Sequence, residues 1–587
     1  MLHLAIAQLR PQKGAYRDNL DQVEGVFREV AGWDPTPDLV LFPESALTGY
    51  FLEGGVQELA VSADQLHADL SERHTASGAP PLDVSIGFYE VWRNRLYNSA
   101  LYSTLGGTDS GIRHVHRKVF LPTYGVFDEE RFVEAGSNVT AFDTPWGRAA
   151  MIICEDAWHS IMATLAALDG AQLLIVPSAT PARGLKSDDG AAAPANLERW
   201  DRLAQDSAEE HGVFVAVTQL VGFEGGKAFA GGSIVAGPRG DILARGPVFE
   251  PAVIPVALDF DEITRARAEL PLLADLEMKW PHLLAASSLQ GNTVTPRAVR
   301  AHRPAARSPR SVPRDQTDPL AIDPELTRRW LVEFLRDEVQ RRRGFEKVVI
   351  GLSGGVDSSL VAYLAAEALG PSNVIGVRMP YRTSSPESLS HAEMVIDHLG
   401  IQERTVDISS AVDGLVAAVG DDSPARRGNV MARMRMITLF DLSAEYGALP
   451  IGTGNKTERL LGYFTWHADD SPPVNAIGDL FKVQVWQLAR HLGISDEIVD
   501  KPASADLIKG QTDEGDLGIS YPKADAILHR LLSGYRPEDI MELGFEEDEI
   551  ALVRRRLEST HWKRRLPTVA MVSQTAIGEY YLRPVDY

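Results

Sequence analysis

Ser353-Gly354-Gly355-Val356-Asp357-Ser358-Ser359 is the stretch from which the organisation of this chain can be read. The run before it, Val348-Val349-Ile350-Gly351-Leu352, is rich in β-branched residues and predicts a buried strand. The run after it, Leu360-Val361-Ala362-Tyr363-Leu364, continues through Ala365, Ala366 and Leu369 at helical spacing. The loop therefore joins a strand to a helix N-terminus, where free backbone amides attract anions and glycines let a ligand approach the backbone. Hydroxyls at Ser353, Ser358 and Ser359 add donors. Asp357 would repel a bare phosphate, but it fits a loop in which a carboxylate holds Mg²⁺ against phosphate oxygens. The lysine of the G-x-x-x-x-G-K-[ST] pattern is absent.

Working outward, 587 residues exceed what one core organises and predict several domains. A net charge of −23 argues against a nucleic-acid surface, which needs a basic stripe. No apolar run is long enough to span a bilayer, so no membrane partner is expected. The start, Met1-Leu2-His3-Leu4-Ala5-Ile6-Ala7, has no basic leader and reads as a first core strand; a cytoplasmic location is expected. The single cysteine excludes an internal disulfide and any cysteine-cluster zinc site.

Before the loop, three predicted strands carry chemically useful residues at or near their ends. Leu39-Val40-Leu41-Phe42 runs into Pro43-Glu44-Ser45. Burial at the rim of a sheet can lift a glutamate towards the range of a general base, although Glu44 taken alone reads better as a solvated loop carboxylate. The alternating run from Arg113 to Pro122 predicts a strand with one basic face and carries Lys118; His114 and His116 on it read as a polar strand face rather than metal ligands. Ala149-Ala150-Met151-Ile152-Ile153 runs into Cys154-Glu155-Asp156, which places the only cysteine at a strand end. Further strands are expected at 173–176 and 213–217, a helix over 196–210, and a hairpin across Gly237-Pro238-Arg239-Gly240.

Pro43-Glu44, His116-Arg117-Lys118-Val119-Phe120-Leu121-Pro122 and Cys154-Glu155-Asp156 together resemble the three signature segments of the nitrilase superfamily, over residues 1–262. That resemblance implies an α-β-β-α sandwich and a thiol amidase. Glu44 would be the base, Cys154 the nucleophile and Lys118 the oxyanion stabiliser, with Glu129 as an assisting carboxylate. The family's glutamine-binding positions fall on Tyr124, Thr180 and Lys186.

Residues 263–320 are expected to connect the halves, with periodicity fading from Leu284 and a Pro/Arg-rich linker around 302–310. Asp323-Pro324 is expected to cap and start a helix. From 321 to 587, strands predicted at 348–352, 373–379, 405–408 and 449–454 alternate with helices, which implies a doubly wound parallel sheet with its ligands at the carboxyl ends of the strands. Gly452-Thr453-Gly454-Asn455-Lys456-Thr457-Glu458 follows the fourth strand. There Glu458 would supply a second carboxylate to the metal, and Thr453 a hydroxyl to a nucleotide. Apolar neighbours predict a deep placement for Arg433 and Arg435, and the polar stretch 504–515 reads as a lid.

The loop at 353–359 resembles that of the N-type ATP pyrophosphatases. With the runs at 432–435, 452–458, 478–482, 501–514 and 563–565, the second half resembles the NAD⁺ synthetases; with the first half in front, the whole chain resembles their glutamine-dependent form. The resemblance implies ATP at Ser353, Gly354, Gly355, Val356, Asp357, Ser358, Ser359 and Thr453, and Mg²⁺ on Asp357 and Glu458. It implies deamido-NAD⁺ at Asn429, Arg433, Glu458 and Lys563, ammonia passed internally from Cys154, and a homo-oligomer. One segment departs from the family pattern: Trp466-His467-Ala468-Asp469-Asp470-Ser471-Pro472-Pro473 lacks the usual lysine and turn glycines and keeps only the aspartate at Asp469. An amidotransferase of the same architecture acting on another carboxylate therefore stays open, as does a sensor with inactive sites, which the retained Glu44, Lys118, Cys154, Asp357 and Glu458 oppose.

Overall fold

The computed structural model describes residues 1–52, 55–185, 193–291, 318–420, 423–504 and 512–565. Most of the Pro/Arg-rich linker, Lys186 and most of the expected lid lie outside them. The described residues fall into two compact units, one built from residues 1–184 and 193–291, the other from Leu185 and residues 318–565.

In the first unit the strands follow as β1 (Leu2–Gln8), β2 (Leu39–Leu41), β3 (Leu82–Trp92), β4 (Arg95–Leu105), β5 (Gly111–Arg117), β6 (Ala141–Thr144), β7 (Gly147–Met151), β8 (Leu173–Ser178), β9 (Phe214–Gln219), β10 (Val221–Glu224), β11 (Lys227–Ala230), β12 (Ile234–Ala236), β13 (Ile242–Arg245) and β14 (Ala252–Leu258). Among the described residues they form two six-stranded sheets, ordered β14-β1-β2-β3-β4-β5 and β13-β12-β9-β8-β7-β6, and a separate β10-β11 hairpin. Side-chain alternation along β1 and β2 explains the layering. Leu4, Ile6, Leu39 and Leu41 join the core that contains the second sheet, whereas Ala5, Ala7 and Val40 face Val23, Phe27, Leu66 and Leu70 of the helices Tyr16–Val30 and Ala63–Ser77. The helix Ala195–His211 buries Trp200, Ala204 and Ala208 against the second sheet. Strands buried on both faces read as continuous apolar runs. The result is the expected α-β-β-α sandwich.

The second unit holds β15 (Lys347–Gly351), β16 (Val374–Arg378), β17 (Gln402–Thr405) and β18 (Ala448–Pro450), all parallel in the order β17-β16-β15-β18. The helices Val356–Leu369 and Pro386–Leu399 follow β15 and β16, which makes the sheet doubly wound as expected. The loops after β15 and β18 emerge side by side, where the strand order reverses and ligands bind in such sheets. Asp323 does cap its helix: its Oδ1 accepts the Leu326 N–H at 3.0 Å, and Pro324 opens the helix.

Three expectations shift. The third strand of this sheet runs over 402–405 rather than 405–408. Its exposed residues Gln402, Glu403, Arg404 and Thr405 pair with β16 at the sheet edge, while Ile408 is buried in the core and Val406 packs against it. Charged edge strands are common, so hydrophobicity marked the core residues and missed the paired ones. The strand expected from Arg113 to Pro122 stops at Arg117, which leaves Lys118 just beyond it. The connecting segment begins in helices, Asp261–Glu269 and Leu272–Gly291, the second continuing past Leu284. Among the described residues no helix is long and apolar enough to cross a membrane.

Candidate active sites

In the first unit the ends of β2, β5 and β7 bring Glu44, Lys118 and Cys154 to the same rim. Lys118 is fully buried, and its Nζ donates to Glu44 Oε1 at 2.8 Å and to Glu129 Oε2 at 2.7 Å. An ammonium has three donors, so one remains after the two carboxylates are served. Asn98 Nδ2 donates to Glu44 Oε1 at 2.7 Å and also to Glu129, and the Tyr50 hydroxyl donates to Glu129 Oε2 at 3.1 Å. The second oxygen of Glu44 is buried and accepts no hydrogen bond from the described residues. Gly87 on β3 permits this packing, because a Cβ there would lie 2.5 Å from the Glu44 Cα.

Electrostatics follow from burial. Desolvation raises the Glu44 carboxyl above its ordinary range; Lys118 opposes the shift and Glu129 adds to it. Burial disfavours the Lys118 ammonium, but Glu129 and Glu44 outweigh it and hold its pKa well above the usual lysine value. Burial, then the charge of Glu44, push the Cys154 thiol up to about 12, against the pull of Lys118. The cysteine sits at φ +44° at the start of a short 3₁₀ turn, a conformation that costs energy and recurs at functional sites. Its sulfur lies 3.3 Å from Ser178 Oγ and 3.9 Å from Thr180 Oγ1. The hydroxyl of Tyr124, an exposed residue, donates to Glu155 at 2.9 Å.

Replacing Lys118 by methionine should leave two buried carboxylates without their cation. The expected cost is about 3–5 kcal/mol, as for breaking other buried ion pairs. A lowered urea midpoint for Lys118→Met, partly restored in Lys118→Met/Glu44→Gln, is the check.

In the second unit a cavity of about 550 Å³ opens over the carboxyl ends of β15 and β18. Ser353, Gly355, Val356, Asp357, Ser358, Thr453 and Glu458 line it. Gly354 is at φ +72°, and a Cβ there would meet the Ser388 carbonyl oxygen at 2.1 Å, so the turn requires glycine. Ser359 is buried and does not line the cavity; its hydroxyl donates to the Gly355 carbonyl at 2.8 Å. Lys482, also buried, pairs with Asp357 and lies 3.7 Å from Glu458. Asn455 donates to Asp357 at 3.0 Å and caps the helix that carries Glu458. Burial, then the nearby Asp357, push the Glu458 carboxyl up to about 8. One ammonium does not neutralise both carboxylates, which is why Glu458 holds its proton, and a divalent cation would favour its ionised form. Among the described residues no group of three acidic, His or Cys side chains could hold a metal. That still fits Mg²⁺, which is typically bound through one or two carboxylates plus substrate phosphates.

The other expected contacts gather around one segment. The Thr465 hydroxyl donates to Asn429 at 3.1 Å, Arg433 to the Trp466 carbonyl at 3.2 Å, and Lys563 to the Gly462 and Phe464 carbonyls at 2.8 and 3.0 Å. Arg433 is exposed, contrary to the deep placement expected for the pair, and only Arg435 lines the cavity. Residues two apart on a helix point to different faces.

Known proteins share both halves. The family described as Carbon-nitrogen hydrolase matches residues 3–268, and NAD synthase matches 327–567. Over its full length the chain is 31% identical to the glutamine-dependent NAD(+) synthetase of Thermotoga maritima, 98% of which is covered. The chain belongs to the glutamine-dependent NAD(+) synthetase family. Its second half is also 48% identical, over 46% of this chain, to the NH(3)-dependent NAD(+) synthetase of Trichlorobacter lovleyi, with 98% of that protein covered. Two solved glutamine-dependent NAD(+) synthetases have the same fold. The one from Acinetobacter baumannii, in complex with ADP, has a TM-score of 0.69 at 22% identity, covering 100% of this chain and 98% of that one. The one from Cytophaga hutchinsonii has 0.68 at 16%, covering 96% and 93%.

For a member of the glutamine-dependent NAD(+) synthetase family, the residues that sequence reasoning missed are mostly partners rather than reactive groups. Asn98 and Tyr50 stood in apolar contexts with no spacing signal. Asp156 carries no signal of its own beyond its place in Cys154-Glu155-Asp156, yet its buried carboxylate accepts the Val119, Phe120 and Ile153 amides and pairs with His116 at 3.0 Å. Lys482, at the end of the run 478–482, is equally unmarked, because a lysine opening an amphipathic helix is ordinarily a surface residue.

Proposed function

We propose that this chain converts deamido-NAD⁺, ATP and glutamine to NAD⁺, AMP, pyrophosphate and glutamate. What most supports this reading is that one chain, alike over its whole length to a glutamine-dependent NAD(+) synthetase, carries both a buried Glu44–Lys118–Glu129 cluster beside Cys154 and two carboxylates at a cavity of nucleotide size. In the amidase unit, the free oxygen of Glu44 takes the thiol proton as the Cys154 sulfur attacks the side-chain carbonyl of glutamine. The remaining Lys118 donor, with the ring of Tyr50 beneath it at 5.5 Å, stabilises the oxyanion. Glu44 returns its proton to the departing ammonia, then activates the water that hydrolyses the thioester to glutamate. Tyr124, Thr180 and Lys186 are assigned to hold glutamine.

In the synthetase unit, the amides at the start of the helix Val356–Leu369 and the hydroxyls of Ser353, Ser358 and Thr453 hold the ATP phosphates. Asp357 and Glu458 would hold Mg²⁺, which supplies positive charge against the phosphate oxygens. Lys482 positions both carboxylates. The nicotinate carboxylate attacks the α-phosphorus and pyrophosphate leaves; ammonia then attacks the acyl carbon and AMP leaves. Asn429, Arg433 and Lys563 shape the segment 462–466 that would receive deamido-NAD⁺. The same proposal places the enzyme in the cytoplasm as a homo-oligomer.

The test is NAD⁺ formation from deamido-NAD⁺, ATP and Mg²⁺, with glutamine or ammonium as nitrogen source. Both should support turnover, and pyrophosphate released without NAD⁺ would overturn the substrate assignment. One observation favours a second reading, an amidotransferase for another carboxylate. In the atypical segment the Trp466 ring lies tilted by 32° against His467, with centroids 3.9 Å apart, and meets Trp562 edge-on at 5.2 Å, an aromatic cluster that a different acid could use. A pyrophosphate-release screen over carboxylic acids separates the two.

A further inference from the structure

β7 and β8 run parallel, so their carboxyl ends deliver Cys154 and Ser178 side by side. Ser178 is fully buried. Its hydroxyl donates to the Cys154 sulfur at 3.3 Å, and its oxygen lies 2.9 Å from Thr180 Oγ1. A serine hydroxyl has one proton to give. With that proton on the sulfur, Thr180 must be the donor to Ser178. The result is a chain of two hydroxyls, each polarising the next, that ends on the nucleophile.

We propose that Ser178 is a further catalytic residue of the amidase site, donating to the Cys154 thiolate and setting its readiness to attack, with Thr180 polarising it from behind. The proposal rests on the nucleophile reading of Cys154 given above. When the thiol proton passes to Glu44, the sulfur becomes a full anion in a buried site, and a hydrogen bond to an ion is worth about twice one to a neutral acceptor. The donor therefore favours the thiolate over the thiol. It is released from the anion as the sulfur's electron pair forms the S–C bond to the amide carbon and the carbonyl electrons move to oxygen. The need is clear from the surroundings. Glu44 faces the sulfur from beyond β2, Tyr50 stands nearby, Tyr124 and Glu155 lie on the exposed side with Arg183 beside Tyr124, and among the described residues the cation that favours the thiolate is Lys118, already shared with Glu44 and Glu129. Burial and Glu44 oppose ionisation, and Ser178 acts against them.

The chain's single cysteine makes alkylation a direct readout of this sulfur. The experiment measures the rate of iodoacetamide labelling from pH 6 to 10 by intact mass, for wild type, Ser178→Ala and Thr180→Val, with Cys154→Ala as blank. A rise of about one pH unit in the thiol midpoint lowers the thiolate population tenfold, partly offset by a more nucleophilic sulfur, so Ser178→Ala should label about three- to fivefold more slowly at pH 7. Its profile should move to higher pH, and Thr180→Val should shift the same way by less. An unchanged or faster rate in Ser178→Ala overturns the inference. Should that variant fail to fold, as judged by its melting curve, Thr180→Val decides: slower labelling supports the relay and unchanged labelling overturns it. Wild-type protein that resists labelling at every pH would instead sink the nucleophile reading, and this inference with it.

Discussion

Cys154→Ala is expected to lower glutamine-driven NAD⁺ formation by roughly 10⁴-fold or more, the scale seen when a nucleophile is removed from a covalent mechanism. Ammonium-driven formation should persist. The asymmetry follows from where the residue sits. Cys154 belongs to a core of the first unit, and the cavity bearing Asp357 and Glu458 is lined wholly by residues of the second. Alanine removes a single sulfur atom, so little packing is lost although the residue is buried. Without the sulfur no thioester forms, and Glu44 and Lys118 are left around an unactivated amide. The comparison is initial NAD⁺ formation with saturating glutamine and with ammonium chloride, on the same preparation. Persistent glutamine use in the variant would show that another group attacks the amide.

Asp357→Asn should abolish synthesis from either nitrogen source, with a loss of at least about 10³-fold, while glutamine hydrolysis survives; charge stabilisation in phosphoryl and adenylyl transfer is of this order. Asparagine keeps the shape of the side chain and its place at the first turn of the helix Val356–Leu369. It removes the charge that Lys482 neutralises and the anionic oxygen that a magnesium ion would take. The readouts are pyrophosphate release with deamido-NAD⁺ and, separately, glutamate from glutamine. Pyrophosphate release near the wild-type rate would remove Asp357 from the nucleotide site. The two variants thus dissect the chain in opposite directions, one losing the nitrogen supply and the other the acceptor.

Much of both sites was legible because the reactive groups stand where apolar strands end. Glu44, Cys154 and the loop at 353–359 each follow a run whose hydrophobicity marks it as buried, and a polar residue at such a place has few structural reasons to be there. Lys118 had no such signal: it stands in an alternating basic run and was marked by the resemblance, and its strand ends one residue before it. What stayed hidden was the set of side chains that only meet across the fold. Asn98 reaches Glu44 from 54 residues away and Lys482 reaches Asp357 from 125, and neither lies in a spacing that could announce the contact. Ser359 looked equivalent to Ser358 in the loop, and both hydroxyls donate to the Gly355 carbonyl, yet only Ser358 lines the cavity.

Period-two and helical hydrophobic patterns, glycines at forced turns and polar residues at strand ends are local features. They suffice for two α/β units, the placing of many strands and the position of Glu44, Cys154 and the loop at 353–359 just after buried runs, because burial acts on each residue through its own transfer free energy. Which carboxylate oxygen stays free on Glu44, which arginine of the 433/435 pair reaches the cavity, and that one buried lysine serves Glu44 and Glu129 while another serves Asp357 and Glu458, depend on groups brought together over many residues. Those assignments and the charge states they impose come from desolvation and Coulomb interaction at a few ångströms, and such distances exist only once the sheets have closed over the sites.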